Sequence, residues 1–387
     1  MLMESDTKQI EVSRLETLYD IDDLQPEWQA LEERSSGVTP FMTWEWCSAV
    51  ARIRLDGQGL LIMAVRKDGE LIGVAPFAEM TMGGLRVLRL LSSGLGEYSL
   101  ADYQDLLLAE GHEEEGIDAL CLDFAKRRWD LLHLQELPAA SSNTKRLMEA
   151  AARRGWIPQL QSASDVHLLP VAGAWDEYRA TLSRSTRNDG GRLTRKLMAE
   201  HDASFLNVDG DEEQIARTME TLFDLHTQRW RAVGKPGIFH TEQQKDLHRE
   251  VARRFAARGM LALSCLRAGD ETIAVKYGFQ KNGVRYYYSS GFSADPRWEH
   301  FRLGLVLDLG LLKDAFDQGI RCVDFMRGDS HYKNHYRMDT HLNQELTLFR
   351  NRRVRLQYQI ARFAERAVRG MRRKLVWSSS TQQEKAA

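Results

Sequence analysis

LLIMAVRKDGELIGVAPF, residues 60–77, is an apolar run, a polar turn holding Asp68 and Gly69, and a second apolar run. That is the pattern of a β-hairpin whose two strands are both buried. It returns in the second half of the chain as LALSCLRAGDETIAVKYGF, residues 261–279, again with Gly and Asp at the turn. A long-range repeat of this kind makes each copy the centre of its own structural unit. Outward from each hairpin comes a helix-like segment, GHEEEGIDALCLDFAKRR (111–128) or FRLGLVLDLGLLKDAFDQG (301–319). A buried-strand pattern follows, RWDLLHLQEL (128–137) or IRCVDFMRGD (320–329). Two helical stretches precede each hairpin: IDDLQPEWQALEER and TWEWCSAVARI in the first half, EEQIARTMETLFDLHTQRW and TEQQKDLHREVARRFAARG in the second. The shared order predicts a mixed sheet with helices on its faces in each half.

A length of 387 residues accommodates two such units, each with its own core. Hydrophobic residues at 43% and charged residues at 28% exclude collagenous, disordered and disulfide-rich classes. Cys47, Cys121, Cys265 and Cys322 lie far apart, with neither a C-x-x-C pair nor a disulfide framework. The first residues, MLMESDTKQIEVSRLE, lack the apolar core of a secretory signal, and no run approaches the length of a membrane span. A cytoplasmic location is expected. The net charge of -2 conceals an asymmetry, because residues 350–374 carry nine Arg and one Lys against Glu365 alone. That segment is about +9 and leaves the rest near -11. In it Val354, Tyr358, Ala361, Ala364, Val368, Met371 and Leu375 recur at helical spacing, which predicts an apolar stripe on a basic helix. Such a helix docks on its own acidic body, on a protein partner or peripherally on the anionic inner membrane.

The order of elements resembles the GNAT acyltransferase fold. It implies tandem duplicated GNAT-type domains of α/β class, mixed sheets flanked by helices, over residues 8–165 and 166–350, with a basic amphipathic helix and tail over 351–387. Three stretches of the second half, FDLHTQRWRAVGKPGIF (223–239), VRYYYSSGFSADPRWEHFRLGLVL (284–307) and RCVDFMRGDSHYKNHY (321–336), carry a closer resemblance. With PFMTWEW (40–46) and LADYQDLLL (100–108), they resemble GNAT-superfamily acetyltransferases of the cellulose-biosynthesis type, distant relatives of Fem-type aminoacyl transferases. The resemblance implies acyl transfer from acetyl-coenzyme A or another acyl-coenzyme A as cosubstrate, and puts the active site in the second half.

In a GNAT-type site the acyl thioester lies along a strand whose backbone N–H groups polarise it, and the pyrophosphate sits at the next helix N-terminus. VRYYYSSG, with Tyr288, reads as that strand, and Arg302, Gly304 and Leu305 open the following helix. Arg302 supplies charge, and Gly304 permits close approach or simply serves helix packing. His226 and Trp230 share a helix face with Arg229 adjacent; His226 is either a proton acceptor for the acceptor nucleophile or a helix histidine bonded to a neighbour. Lys276, in the apolar strand TIAVKYGF, must be paired, face a cleft or mark a solvent face. The basic segment LSRSTRNDGGRLTRKL (182–197) is a solvated face or a phosphate-binding rim, its helix weakened at Gly190-Gly191 by roughly 1 kcal/mol each. Asp102 and Asp105 are turn and cap residues or a base reaching across a domain interface.

The cluster DFMRGDSHYK, residues 324–333, ends the late strand of the second half, whereas the first half continues as QELPAASS at that place. The fold therefore does not demand the cluster. Asp324 and Arg327 are candidates to position an acceptor, Gly328 to turn the chain, and Tyr332 or Lys333 to protonate a leaving thiolate or hold a phosphate, unless the cluster is a salt-bridged turn. His331 and His335 have metal spacing without the Glu of HExxH or a third ligand, so no metal is expected. P-loop and G-x-S-x-G motifs are absent from the sequence.

The reading is an N- or O-acyltransferase acting on a small-molecule or glycan acceptor: a sugar, polysaccharide precursor or small amine. A Fem-type transferase using aminoacyl-tRNA, the one nucleic acid considered, and a non-catalytic scaffold of an envelope-polysaccharide complex are the alternatives.

Overall fold

The computed structural model describes residues 9–53, 59–93, 100–328 and 331–363. The first half runs β1 (Ile10–Leu15), α1 (Leu18–Asp23), α2 (Gln25–Glu33), α3 (Trp44–Ile53), β2 (Leu60–Lys67), β3 (Glu70–Met82), β4 (Leu85–Leu90) and β5 (Leu107–Leu108). It continues with α4 (Glu113–Lys126), β6 (Leu131–Leu137), α5 (Ser142–Arg153) and β7 (Ile157–Pro170). The second half holds α6 (Trp175–Thr181), α7 (Arg184–His201), β8 (Ala203–Asn207), α8 (Glu212–Ala232), α9 (Glu242–Ala257), β9 (Leu261–Ala268), β10 (Glu271–Lys281) and β11 (Val284–Phe292). After it come α10 (Pro296–Glu299), α11 (Leu303–Asp317), β12 (Cys322–Arg327), β13 (Asp339–Phe349) and α12, residues 352–363.

Both repeated hairpins form, as β2–β3 and β9–β10. The first closes on Asp68 and Gly69, both left-handed (φ 52° and 85°), the geometry of a type I′ turn; in the second only Gly269 is left-handed (φ 58°). Each half is a mixed sheet flanked by helices, and the two halves merge into one sheet of 13 strands. Along it the order is β1-β2-β3-β4-β6-β13-β7-β12-β11-β10-β9-β8, with β5 beside β3. The halves exchange strands at the joint. β7 leaves the first half to pair with β12 of the second, while β13 crosses back to pair with β6. The division expected at residue 165 lies inside β7.

Side chains bind the halves as well. Phe41, from the turn before α3, meets Phe279 of β10 edge-on at 5.8 Å, and Trp46 meets Tyr288 of β11 at 5.9 Å. PFMTWEW thus supplies core at the junction. Around it Glu32 is buried and paired with Lys281 at 3.1 Å, and Glu45 with Arg258 at 2.7 Å. A buried carboxylate needs such a partner to stay charged.

The Gly190-Gly191 pair does not interrupt α7. A Cβ on Gly190 would stand 2.2 Å from Leu309 Cδ1, so the missing side chain is what lets α11 lie against α7. At the other end, Val354 and Tyr358 of α12 pack on Leu85, Val87, Leu131 and Phe349. The expected apolar stripe therefore begins by docking on the chain's own sheet. Its continuation at Ala364, Val368, Met371 and Leu375 lies outside the described residues. No helix among the described residues is long and apolar enough to cross a membrane.

Candidate functional site

The site is built on an opening in the sheet. β11 and β12 pair in parallel for three residues, Val284–Tyr286 with Cys322–Asp324, and there the pairing stops. β11 runs on to Phe292, while β12 is turned away by a bulge between Asp324 and Arg327 where it pairs with β7. Two left-handed residues make that bend, Met326 (φ 56°) and Gly328 (φ 107°). The φ of Gly328 is one that side-chain-bearing residues avoid, which is why glycine follows Arg327.

Asp324 is the last residue of β12 paired with β11, fully enclosed, with Oδ1 accepting from the Met326 N–H at 2.6 Å. Burial pushes its carboxyl up to about 7, against the pull of Tyr103 and the Met326 N–H. Tyr103 comes from the first half. It holds a left-handed backbone (φ 56°), its N–H donates to Glu136 O at 2.9 Å, and its ring lies 6.2 Å from that of Tyr286. Its buried hydroxyl lies beside Asp324, outside good hydrogen-bond geometry. Strained backbone of this sort costs of order 1–3 kcal/mol and is held only by surrounding structure.

The neighbouring Asp102 reaches across the junction. Its Oδ2 accepts from the Arg327 N–H at 3.0 Å and its Oδ1 faces Arg327 Nε at 3.0 Å. Arg327 Nη1 also approaches Glu136 at 3.6 Å, at the equivalent bend of β6, where Glu136 is itself left-handed (φ 55°). Lys333 is buried, and its ammonium donates to the carbonyls of Met326 (2.8 Å) and Arg327 (3.2 Å), stapling the bend. Tyr332 is exposed and stands edge-on to Tyr336 at 6.5 Å. Asp105 stays in the first half, accepting from Leu106 N–H and from Ser141, the N-cap of α5; burial raises it to about 6.

His226 is bolted between α8 and β11. Its Nδ1 donates to Ser290 O at 3.1 Å and its Nε2 accepts from the Ile238 N–H at 3.2 Å, which fixes the neutral tautomer and occupies both nitrogens. Burial lowers it to about 4. Arg229 lies over the Phe292 ring at 5.0 Å, and Trp230 lies beside His226 at 5.8 Å. Tyr288 donates to Leu100 O at 2.9 Å, and so belongs to the junction. Lys276 is buried and paired with Asp308 at 2.8 Å while donating to Ser290 Oγ; Tyr336 donates to the other oxygen of Asp308 at 3.1 Å.

α11 starts on Arg302, left-handed (φ 51°), and no side chain caps it. Arg302 donates to Asp189 of α7 at 2.9 Å, which brings the basic helix beside that N-terminus. A Cβ at Gly304 would make only ordinary contact with Phe292, at 3.5 Å, and Leu305 is buried in the core. No group of three or more His, Cys, Asp or Glu side chains suited to a metal ion occurs among the described residues.

The structure thus brings Asp324, Arg327, Gly328 and Lys333 together and sets His226, Arg229 and Trp230 along α8, with Arg302, Gly304 and Leu305 at α11. Sequence reasoning missed Tyr103. Its signal was its place between Asp102 and Gln104 in ADYQDLL, a polar stretch in which every residue is buried.

Residues 184–334 match the family described as acetyltransferase (GNAT) domain. The fold of the whole described chain is found in solved structures of low identity. FemX has 13% identity, covering 87% of this chain and 98% of its own, with a TM-score of 0.58. L-PGS from Bacillus licheniformis has 12% identity over 87% and 96%, TM-score 0.53. The C-terminal domain of a putative lysylphosphatidylglycerol synthetase from Agrobacterium fabrum has 11% over 88% and 96%, TM-score 0.51. No curated protein matches the chain. The second half therefore matches a GNAT acetyltransferase-type domain, and it shares one mixed, helix-flanked sheet with a first half of the same element order.

Proposed function

We propose that the protein transfers an acyl group from an acyl-coenzyme A, acetyl-coenzyme A in the first instance, to an amine or hydroxyl of a small-molecule or glycan acceptor. A polysaccharide precursor fits the cellulose-biosynthesis-type resemblance. The observation that carries this reading is the parting of β11 from β12 at Tyr286 and Asp324, with a carboxyl poised near neutrality at the fork. The acceptor's N or O attacks the thioester carbonyl directly, the carbon–sulfur bond breaks, and the acceptor's proton passes to the Asp324 carboxylate. In this reading the Tyr103 hydroxyl, near Asp324, swings into hydrogen-bond contact, returns a proton to the departing thiolate and is reprotonated from Asp324. Arg327 and Lys333 hold the bend that aims Asp324. The uncapped start of α11 with Arg302, beside basic α7, would receive the pyrophosphate.

Calorimetric titration with acetyl-coenzyme A tests it. Micromolar binding that Arg302→Glu abolishes supports the reading; no binding to any acyl-coenzyme A sinks it. A second reading, aminoacyl-tRNA as donor, draws on the basic face of α7 (Arg184, Arg187, Arg192, Arg195) beside the same helix N-terminus. It predicts transfer from radiolabelled aminoacyl-tRNA that weakens steeply with salt. Failure of both donors would leave the scaffold reading.

A further inference from the structure

α12 has two apolar rows, and only one is used inside the chain. Val354 and Tyr358 are buried against β4, β6 and β13. On the outward side Leu356, Ile360 and Phe363 are 58%, 60% and 76% exposed. Their spacing of four and three residues makes them one continuous strip. Arg352, Arg353 and Arg355 stand exposed on the same helix, while Arg362 turns inward over the Tyr358 ring at 5.9 Å. Beyond it the sequence adds Arg366, Arg369, Arg372, Arg373 and Lys374 before any further acid than Glu365.

We infer that this outward strip docks the protein on an anionic lipid bilayer. A helix lying in the interface needs an apolar row at its underside and cations level with the headgroups, and the inward row holds α12 on the body so that the strip faces out. Nucleic acid would use the arginines and leave Leu356, Ile360 and Phe363 in water. A second copy of the chain offers an acidic body, yet three side chains fall well short of the roughly 800 Å² per partner of a stable interface. A bilayer sets no such minimum, because each arginine near the anionic surface adds to the partition. The inference does not depend on which acyl donor is used, and its test involves no acyl donor.

The full chain is sedimented with vesicles of phosphatidylcholine alone or of phosphatidylcholine with phosphatidylglycerol. Binding is expected only to the anionic vesicles, and to fall as salt rises. Leu356→Ser, Ile360→Ser and Phe363→Ser together, and separately Arg352→Glu with Arg355→Glu, should each weaken it about tenfold or more, with the melting temperature kept because Val354 and Tyr358 are untouched. Unchanged binding in either variant overturns the inference. So does a wild type that binds neither vesicle, or one that dimerises in solution under conditions where the triple variant stays monomeric.

Discussion

Asp102 of the first half clamps Arg327 of the second, taking the backbone N–H and the guanidinium Nε of the same residue at 3.0 Å each. One carboxylate thus fixes both the main chain and the side chain at the fork where the sheet opens. Arg327→Ala leaves that buried carboxylate unpaired and is expected to destabilise the protein by about 3–5 kcal/mol in urea unfolding. Asp102→Asn with Arg327→Met should recover part of the loss, giving a coupling of about 1–3 kcal/mol in the double-mutant cycle. Additive losses would mean that the clamp does not join the halves.

Asp324→Asn keeps an acceptor for the Met326 N–H and removes the titrating group. A fall in kcat of about a hundredfold or more is expected, with loss of the pH-rate limb near 7. Stability gives an independent sign. The folded state holds the proton to about 7 and the unfolded state releases it near 3.8, so the contribution of Asp324 to stability is greatest below 3.8 and declines as pH rises to 7. Melting temperatures of the Asn variant should lack that decline.

His226 behaves oppositely, since burial lowers it from 6.5 to about 4. Its stabilisation is complete above 6.5 and is lost as pH falls through the window to 4, where the unfolded state takes up the proton first. His226→Phe strands Ser290 O and the Ile238 N–H, for about 1–3 kcal/mol at each group left unsatisfied. Chemical denaturation at pH 7 and pH 5 should show the variant's deficit shrinking at the lower pH.

Gly190 and Gly191 should part company on substitution. Gly190→Val drives into Leu309 and is expected to cost about 1–3 kcal/mol. Gly191→Ala meets only the mobile ends of Arg195 and Arg179, and should stabilise α7 by about 0.5–1 kcal/mol. Thermal melts of the two variants decide it.

The elements were legible because their signals are local. Period-two runs about Asp68-Gly69 and Gly269-Asp270, and 3.6-period stretches on either side, specify hairpins and helices without reference to the rest of the chain. The repeat of those elements gave the tandem fold, and DFMRGDSHYK marked the end of the strand beside which the sheet opens.

What remained hidden is set by contacts between distant residues. Nothing local in β7 or β13 says that each pairs across the junction, because a strand's pattern fixes which face it buries and leaves the partner open. His226 and Lys276 looked ambiguous since a polar side chain declares its role only through its partners, and those are Ser290, Ile238 and Asp308 on other elements. Tyr103 carries no motif; it reaches Asp324 only because the folded sheet brings a first-half loop to a second-half fork. Sequence alone determined the repeated elements and the tandem sheet, since hydrophobic period and turn chemistry act over a few residues. Tertiary structure alone decided how the halves interlock and which carboxyl is held near neutrality, since burial and cross-junction pairing arise only when the halves meet.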